Sequence, residues 1–64
     1  MNRDGFIRML RKYARKQGLD LRIIARSGKG SHYKAVLDGR ITTLKSGEYS
    51  KSYIRLLNKQ LGIE

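Results

Sequence analysis

Apolar residues recur at helical spacing over residues 3–17. Phe6, Ile7, Leu10, Tyr13 and Ala14 fall on one arc of the helical wheel, while Arg8, Arg11, Lys12 and Arg15 follow an i, i+3, i+4, i+7 pattern on the opposite side. This predicts an amphipathic helix with Asn2 or Asp4 as its N-terminal cap and Gly18 as its stop. The period then shortens to alternation. Leu19, Leu21, Ile23 and Ala25 alternate with Asp20, Arg22, Ile24 and Arg26, the pattern of a strand, which Ser27-Gly28-Lys29-Gly30 breaks. A second strand is expected from about Ser31 to Leu37 and a third from about Arg40 to Leu44. Asp38-Gly39 between them suits a two-residue hairpin loop, because a type I′ turn needs positive φ at both positions. After the polar stretch Lys45-Ser46-Gly47-Glu48, a last helix starts near Ser50 or Ser52 and stops at Gly62. On it, Tyr53, Ile54, Leu57 and Leu61 share one face, and Lys51, Arg55 and Lys59 the other.

The order α-β-β-β-α implies an α+β fold, a three-stranded antiparallel sheet with two helices on one face and the other face open. The hairpin loop also sets the register. Leu37 should pair with Arg40, Ala35 with Thr42 and Tyr33 with Leu44, and this set, rich in Tyr33, Ala35, Leu37 and Leu44, suits the covered face. The alternate set pairs Val36 with Ile41, Lys34 with Thr43 and His32 with Lys45, and so gathers His32, Lys34, Thr43 and Lys45 on the open face. Val36 and Ile41 fall there as well, an unusual place for apolar side chains.

Composition narrows the class. The 64 residues (1–64) form one domain, with no cysteine to staple it and one histidine with five carboxylates, too few for a zinc site. Nothing in the sequence calls for a cofactor or a resident metal. Fifteen Lys+Arg against five Asp+Glu give a formal charge of +10, a density that costs stability through self-repulsion and points to a polyanionic partner. No stretch approaches the ~20 apolar residues of a membrane span, and the charged start lacks the apolar run of a signal peptide, so a cytoplasmic location is expected.

The only histidine, His32, is the candidate for chemistry. An imidazole titrates near neutrality, at an unperturbed pKa of ~6.5, and one set beside lysines near a glycine-rich loop suits proton transfer on a phosphodiester. Gly28, Lys29 and Gly30 leave backbone N–H groups free to approach a phosphate. A lone histidine is also commonly a surface or packing residue. The residues by themselves lead to an RNA- or DNA-binding α/β domain with a candidate acid/base.

From Gly28-Lys29-Gly30-Ser31-His32-Tyr33-Lys34 onwards, the sequence resembles the HicA family of toxin mRNA interferases. The Phe6-Ile7-Arg8-Met9-Leu10-Arg11-Lys12-Tyr13-Ala14 helix, the Thr42-Thr43 strand end and the Leu57-Asn58-Lys59-Gln60-Leu61-Gly62-Ile63 segment extend the likeness over nearly the whole chain. The resemblance implies a double-stranded-RNA-binding-domain-like fold and ribosome-independent mRNA cleavage, with the histidine of the Gly-Ser-His motif, here His32, catalytic. It also implies a type II toxin–antitoxin system in which a cognate HicB-like antitoxin covers the active region; an acidic one would relieve the positive charge. Unlike many members, this chain has no further histidine after the third strand, where Thr42-Thr43-Leu44-Lys45 stands. The general acid is therefore unassigned.

The expected mechanism is metal-independent. His32 serves as base on the ribose 2′-hydroxyl, and Lys29, Lys34 and Lys45, assisted by the backbone at Gly30, stabilise the phosphate charge, with Ser31 also among the expected RNA-binding residues. Arg8, Arg11, Lys12 and Arg15 would hold the RNA backbone. The alternatives are a non-catalytic double-stranded-RNA-type binding module and an inactive toxin homologue. A helix-turn-helix DNA regulator is disfavoured, because three strands separate the helices.

Overall fold

The computed structural model describes residues 1–25 and 32–63. Its elements are α1 (Arg3–Gln17), β1 (Leu21–Ala25), β2 (Tyr33–Leu37), β3 (Arg40–Leu44) and α2 (Lys51–Leu61), the expected α-β-β-β-α order. Asn2, rather than Asp4, caps α1, its side-chain oxygen accepting from the Gly5 N–H at 2.9 Å. Ser50 caps α2 in the same way through the Tyr53 N–H.

Both helices end in the same hydrogen-bonded stop. The Gly18 N–H reaches the Arg15 carbonyl and the Leu19 N–H the Ala14 carbonyl; Gly62 and Ile63 repeat this onto Lys59 and Asn58. This explains why β1 begins at Leu21 rather than Leu19. The Leu19 amide is spent on the end of α1, and the Asp20 carbonyl accepts from the Asp38 N–H at 2.8 Å, so regular pairing starts one residue later.

The sheet order is β1-β2-β3, antiparallel throughout. Asp38 (φ 51°) and Gly39 (φ 85°) both take positive φ, as a type I′ turn requires, and β2 pairs with β3 as expected from Tyr33–Leu44 to Leu37–Arg40. Across β1, Leu21 faces Leu37, Ile23 faces Ala35 and Ala25 faces Tyr33. The pleat therefore sends Ala35, Leu37 and Leu44 into a core shared with Phe6, Leu10 and Ala14 of α1 and Leu57 and Leu61 of α2. Thr42 is the one buried polar side chain among the described residues, and it donates to the Gln60 side-chain oxygen, tying β3 to α2.

Tyr49 completes this core from a segment that reads as a polar turn. Only 3% exposed, it lies 5.7 Å from the Phe6 ring and meets Tyr53 edge-on at 4.7 Å. Its hydroxyl donates to the Lys45 carbonyl at 2.7 Å, and its backbone N–H donates to the Met1 carbonyl. One ring thus joins both helices and the end of β3.

Burial pushes the Tyr49 hydroxyl up to about 12; the nearby Tyr53 adds to the rise and Arg3 opposes it. The folded value lies above the ordinary tyrosine value of 10.0, so this contribution to stability is complete below that pH and is lost as the pH climbs through 12. Urea unfolding on either side of this window should show the parent losing more stability than Tyr49→Phe, by a difference on the order of 2 kcal/mol. Equal losses would remove Tyr49 from the alkaline response.

Candidate functional site

β2 delivers the candidate base. His32 directly precedes Tyr33, the first residue of the ladder, and is exposed. Tyr33 turns to the covered side, where the Arg3 guanidinium lies 3.8 Å over its ring. Within the strand, alternation puts Lys34 on the opposite side from Tyr33; His32 lies one residue before the ladder, where its exposure is the observed fact. Lys34 is exposed and stands directly across from Thr43 on β3 and Ile24 on β1.

The open face thus consists of two cross-strand rows, Ile24-Lys34-Thr43 and Arg22-Val36-Ile41. Arg22 reaches Asp20 at 3.5 Å, an exposed pair of little energetic weight. The apolar members are real surface features: Ile24 is 44% and Ile41 62% exposed, with Val36 half-buried between their strands. No helix covers them, because both helices pack on the other side of the sheet.

Lys45 departs from its expected place. The paired ladder ends at Tyr33–Leu44, so no His32–Lys45 pair forms in it, and the Lys45 ammonium lies 4.6 Å from the centre of the Tyr53 ring. The cause is local: Tyr49 holds the Lys45 carbonyl, and the Tyr53 ring offers the ammonium a cation–π contact towards α2. Lys29, Gly30 and Ser31 lie outside the described residues.

Arg8, Arg11, Lys12 and Arg15 are all exposed and line one hollow on the outer side of α1. Phe6, Leu10 and Ala14, on the opposite side of that helix, are buried against the sheet. The stripe therefore faces away from the sheet, whereas Lys34 faces out from the sheet's other side. The α1 stripe and Lys34 thus lie on different sides of the sheet, in a body whose shortest extent is 17 Å.

Two side chains outside the sequence-derived set matter here. Leu56 on α2 is 49% exposed and lies beside the β3 edge together with Ile41, Thr43, Tyr53 and Gln60. Its position off the apolar stripe of α2 is visible in the sequence, but only the fold shows what it stands next to. Tyr49, isolated among polar residues, offers no periodicity to read.

Chemically, an exposed imidazole with a lysine two residues further along the strand can serve a polymeric anion that lies across the open face. Among the described residues, no group of three or more His, Cys, Asp or Glu side chains gathers to hold a metal, and no helix is long and apolar enough to cross a membrane. No family model, curated protein or solved structure matches this chain.

Because the two basic surfaces lie on opposite sides, their contributions to RNA binding should be independent. Lys34→Ala and Arg11→Ala should each lower the slope of log K against log salt by about one, and the double variant by the sum. Titration of a fluorescent single-stranded RNA at several KCl concentrations checks this; strong non-additivity would mean the two surfaces act as one.

Proposed function

We propose that this chain is a HicA-type endoribonuclease, the toxin of a toxin–antitoxin pair that cleaves mRNA in the cytoplasm without the ribosome. The observation that carries the reading is the exposed His32, which directly precedes β2 and stands two residues from Lys34, itself on the side of the sheet that the helices leave uncovered. The α-β-β-β-α order and the +10 charge are consistent with it.

In this mechanism His32 removes the proton from a ribose 2′-hydroxyl. The 2′-oxygen attacks the adjacent phosphorus, the bond from phosphorus to the 5′-oxygen breaks, and a 2′,3′-cyclic phosphate and a 5′-hydroxyl result. Lys34 stabilises the charge that develops on the phosphate. Lys45, held against Tyr53, bears on this step less directly than Lys34. Tyr33 is turned to the covered side, so the proton that the 5′-oxygen takes up comes from water, from a lysine or from His32 in its protonated state. Every bond change uses groups of the RNA, the protein or water, so the mechanism requires no resident metal.

Proton transfer by one side chain is typically worth ~10²–10⁴-fold, which makes a single-histidine ribonuclease slow. Restraint then falls to a partner. The reading includes an acidic HicB-like antitoxin, which would offset the positive charge and weaken its hold as rim charges are screened by salt.

Incubation of the purified chain with mRNA tests the reading. The parent should cleave in the presence of chelator, leaving cyclic-phosphate ends. His32→Ala should be slower by ~10²–10⁴-fold with an unchanged circular dichroism spectrum. A 2′-deoxy nucleotide at the cleavage position should block the reaction. Cleavage by His32→Ala at the parental rate would overturn the assignment, and intact RNA with tight binding by the parent would favour the non-catalytic binding module.

A further inference from the structure

β3 is an edge strand, and among the described residues no strand pairs with its outer edge. With Leu37 and Arg40 closing the two-residue hairpin, Arg40, Thr42 and Leu44 direct their backbone groups towards β2, while Ile41 and Thr43 direct theirs outwards. Among the described residues, the Thr43 carbonyl accepts from the Tyr53 hydroxyl at 3.5 Å. No backbone bond among the described residues engages the N–H of Ile41 or Thr43 or the Ile41 carbonyl. Exposed edges are blunted from within the strand by proline, an inward-pointing charge or a bulge, or from outside by a covering helix or loop; here α2 flanks the edge across a groove. The interior of β3 is Ile41-Thr42-Thr43, β-branched throughout and with none of the devices internal to a strand.

Beyond that edge lies a groove whose far wall is α2. Ile41 and Thr43 form one side, Tyr53, Leu56 and Gln60 the other, and Lys34 reaches it from the open face. Three of the four exposed large hydrophobics of the described residues, Ile24, Ile41 and Leu56, lie in this groove or on the adjoining sheet face.

We propose that this groove is a strand-addition site for an extended, acidic segment of a partner protein. The added strand would pair with Ile41 and Thr43, setting alternate side chains against Leu56 on one side and beside Ile41 on the other. The backbone chemistry favours a peptide over RNA. A peptide strand meets the edge's N–H groups and carbonyls with its own backbone acceptors and donors, whereas the phosphates of RNA only accept and its 2′-hydroxyls and bases would have to serve the carbonyls. Charge argues against a second copy, since each chain carries +10. It also selects an acidic occupant. Lys34 lines the groove, the Lys45 ammonium lies over Tyr53, and no carboxylate is among the described lining residues. The inference does not depend on catalysis by His32, and its test involves no RNA cleavage.

The probe is a synthetic peptide of about eight residues in which valine alternates with glutamate. Its controls are the same peptide N-methylated on the glutamates that would face the edge, and a polyglutamate of equal length. Binding is followed by amide shifts and hydrogen exchange of the full chain. The alternating peptide should shift and protect the Ile41 and Thr43 amides, and the N-methylated peptide should bind about tenfold more weakly. Leu56→Glu, a change at an exposed helix position that puts a negative charge against the peptide, should weaken binding about tenfold while leaving the spectrum of the free chain otherwise intact.

Equal binding of the N-methylated peptide or of polyglutamate would overturn strand addition, as would shifts confined to Arg8, Arg11, Lys12 and Arg15. So would protection of Ile41 and Thr43 that rises with chain concentration alone, which marks a second copy. Protection of the same amides by a single-stranded RNA in place of the peptide would overturn the choice of a protein occupant. Failure of His32→Ala to impair cleavage would leave this result untouched, so the two readings stand or fall separately.

Discussion

The turn at Asp38-Gly39 sets β2 against β3, and the division of side chains between the two faces of the sheet follows from that one register. Positive φ at both turn residues fixes Leu37 opposite Arg40, and the pleat then sends Ala35, Leu37, Thr42 and Leu44 to the helices and Lys34, Val36, Ile41 and Thr43 to the open side. A slip of one residue would exchange the two sets. It would bury Lys34 without a partner and expose the side chains that form the floor of the core. In a domain of 64 residues without disulfides, no reserve of buried surface exists to offset such an exchange. The register is therefore both the main determinant of the fold and the device that leaves His32 and Lys34 in reach of solvent.

Most of this architecture is legible in the sequence because it rests on local signals. The helix wheel of residues 3–17, the capping by Asn2 and Ser50, the glycine stops and the Asp-Gly turn each specify a conformation through a few neighbouring residues. What the sequence does not show is settled by contacts distant along the chain. Tyr49 sits in a polar stretch with no periodic partner, and its burial depends on Phe6, 43 positions away, and on Tyr53. Lys45 looks from the register like a neighbour of His32, but the cation–π contact with Tyr53 draws its ammonium to α2. The separation of the α1 stripe from the open face is similarly a matter of layer geometry. A wheel shows that Arg8, Arg11, Lys12 and Arg15 oppose the core, but not which side of the sheet the helix occupies.

The one-sided packing also explains the two unusual features of the surface. Two short helices suffice to cover one face of three five-residue strands, and nothing remains in the described chain to cover the other. Ile24, Val36 and Ile41 consequently stay at the surface although their chemistry is that of core residues. A chain selected only to be a soluble basic module would place polar residues at those positions at little cost to stability. Their presence beside the unpaired β3 edge and Leu56 is economical if the surface is covered for part of its working life.

The row Ile24-Lys34-Thr43 links the two proposed activities. Lys34 is both the cation nearest in sequence to His32 on its side of the sheet and a wall of the groove beside β3, while Thr43 contributes its side chain to the open face and its backbone to the edge. A strand docked on Ile41 and Thr43 would bring its acidic side chains towards Lys34, the group that the mechanism needs for the phosphate. Such an occupant would restrain cleavage without touching His32, by removing the charge on which RNA binding at that site depends. It would leave the α1 stripe free, because that stripe faces away from the sheet. Polyanion binding and cleavage would then be separable: a chain with its groove filled could still hold RNA through Arg8, Arg11, Lys12 and Arg15 while the open face stands idle.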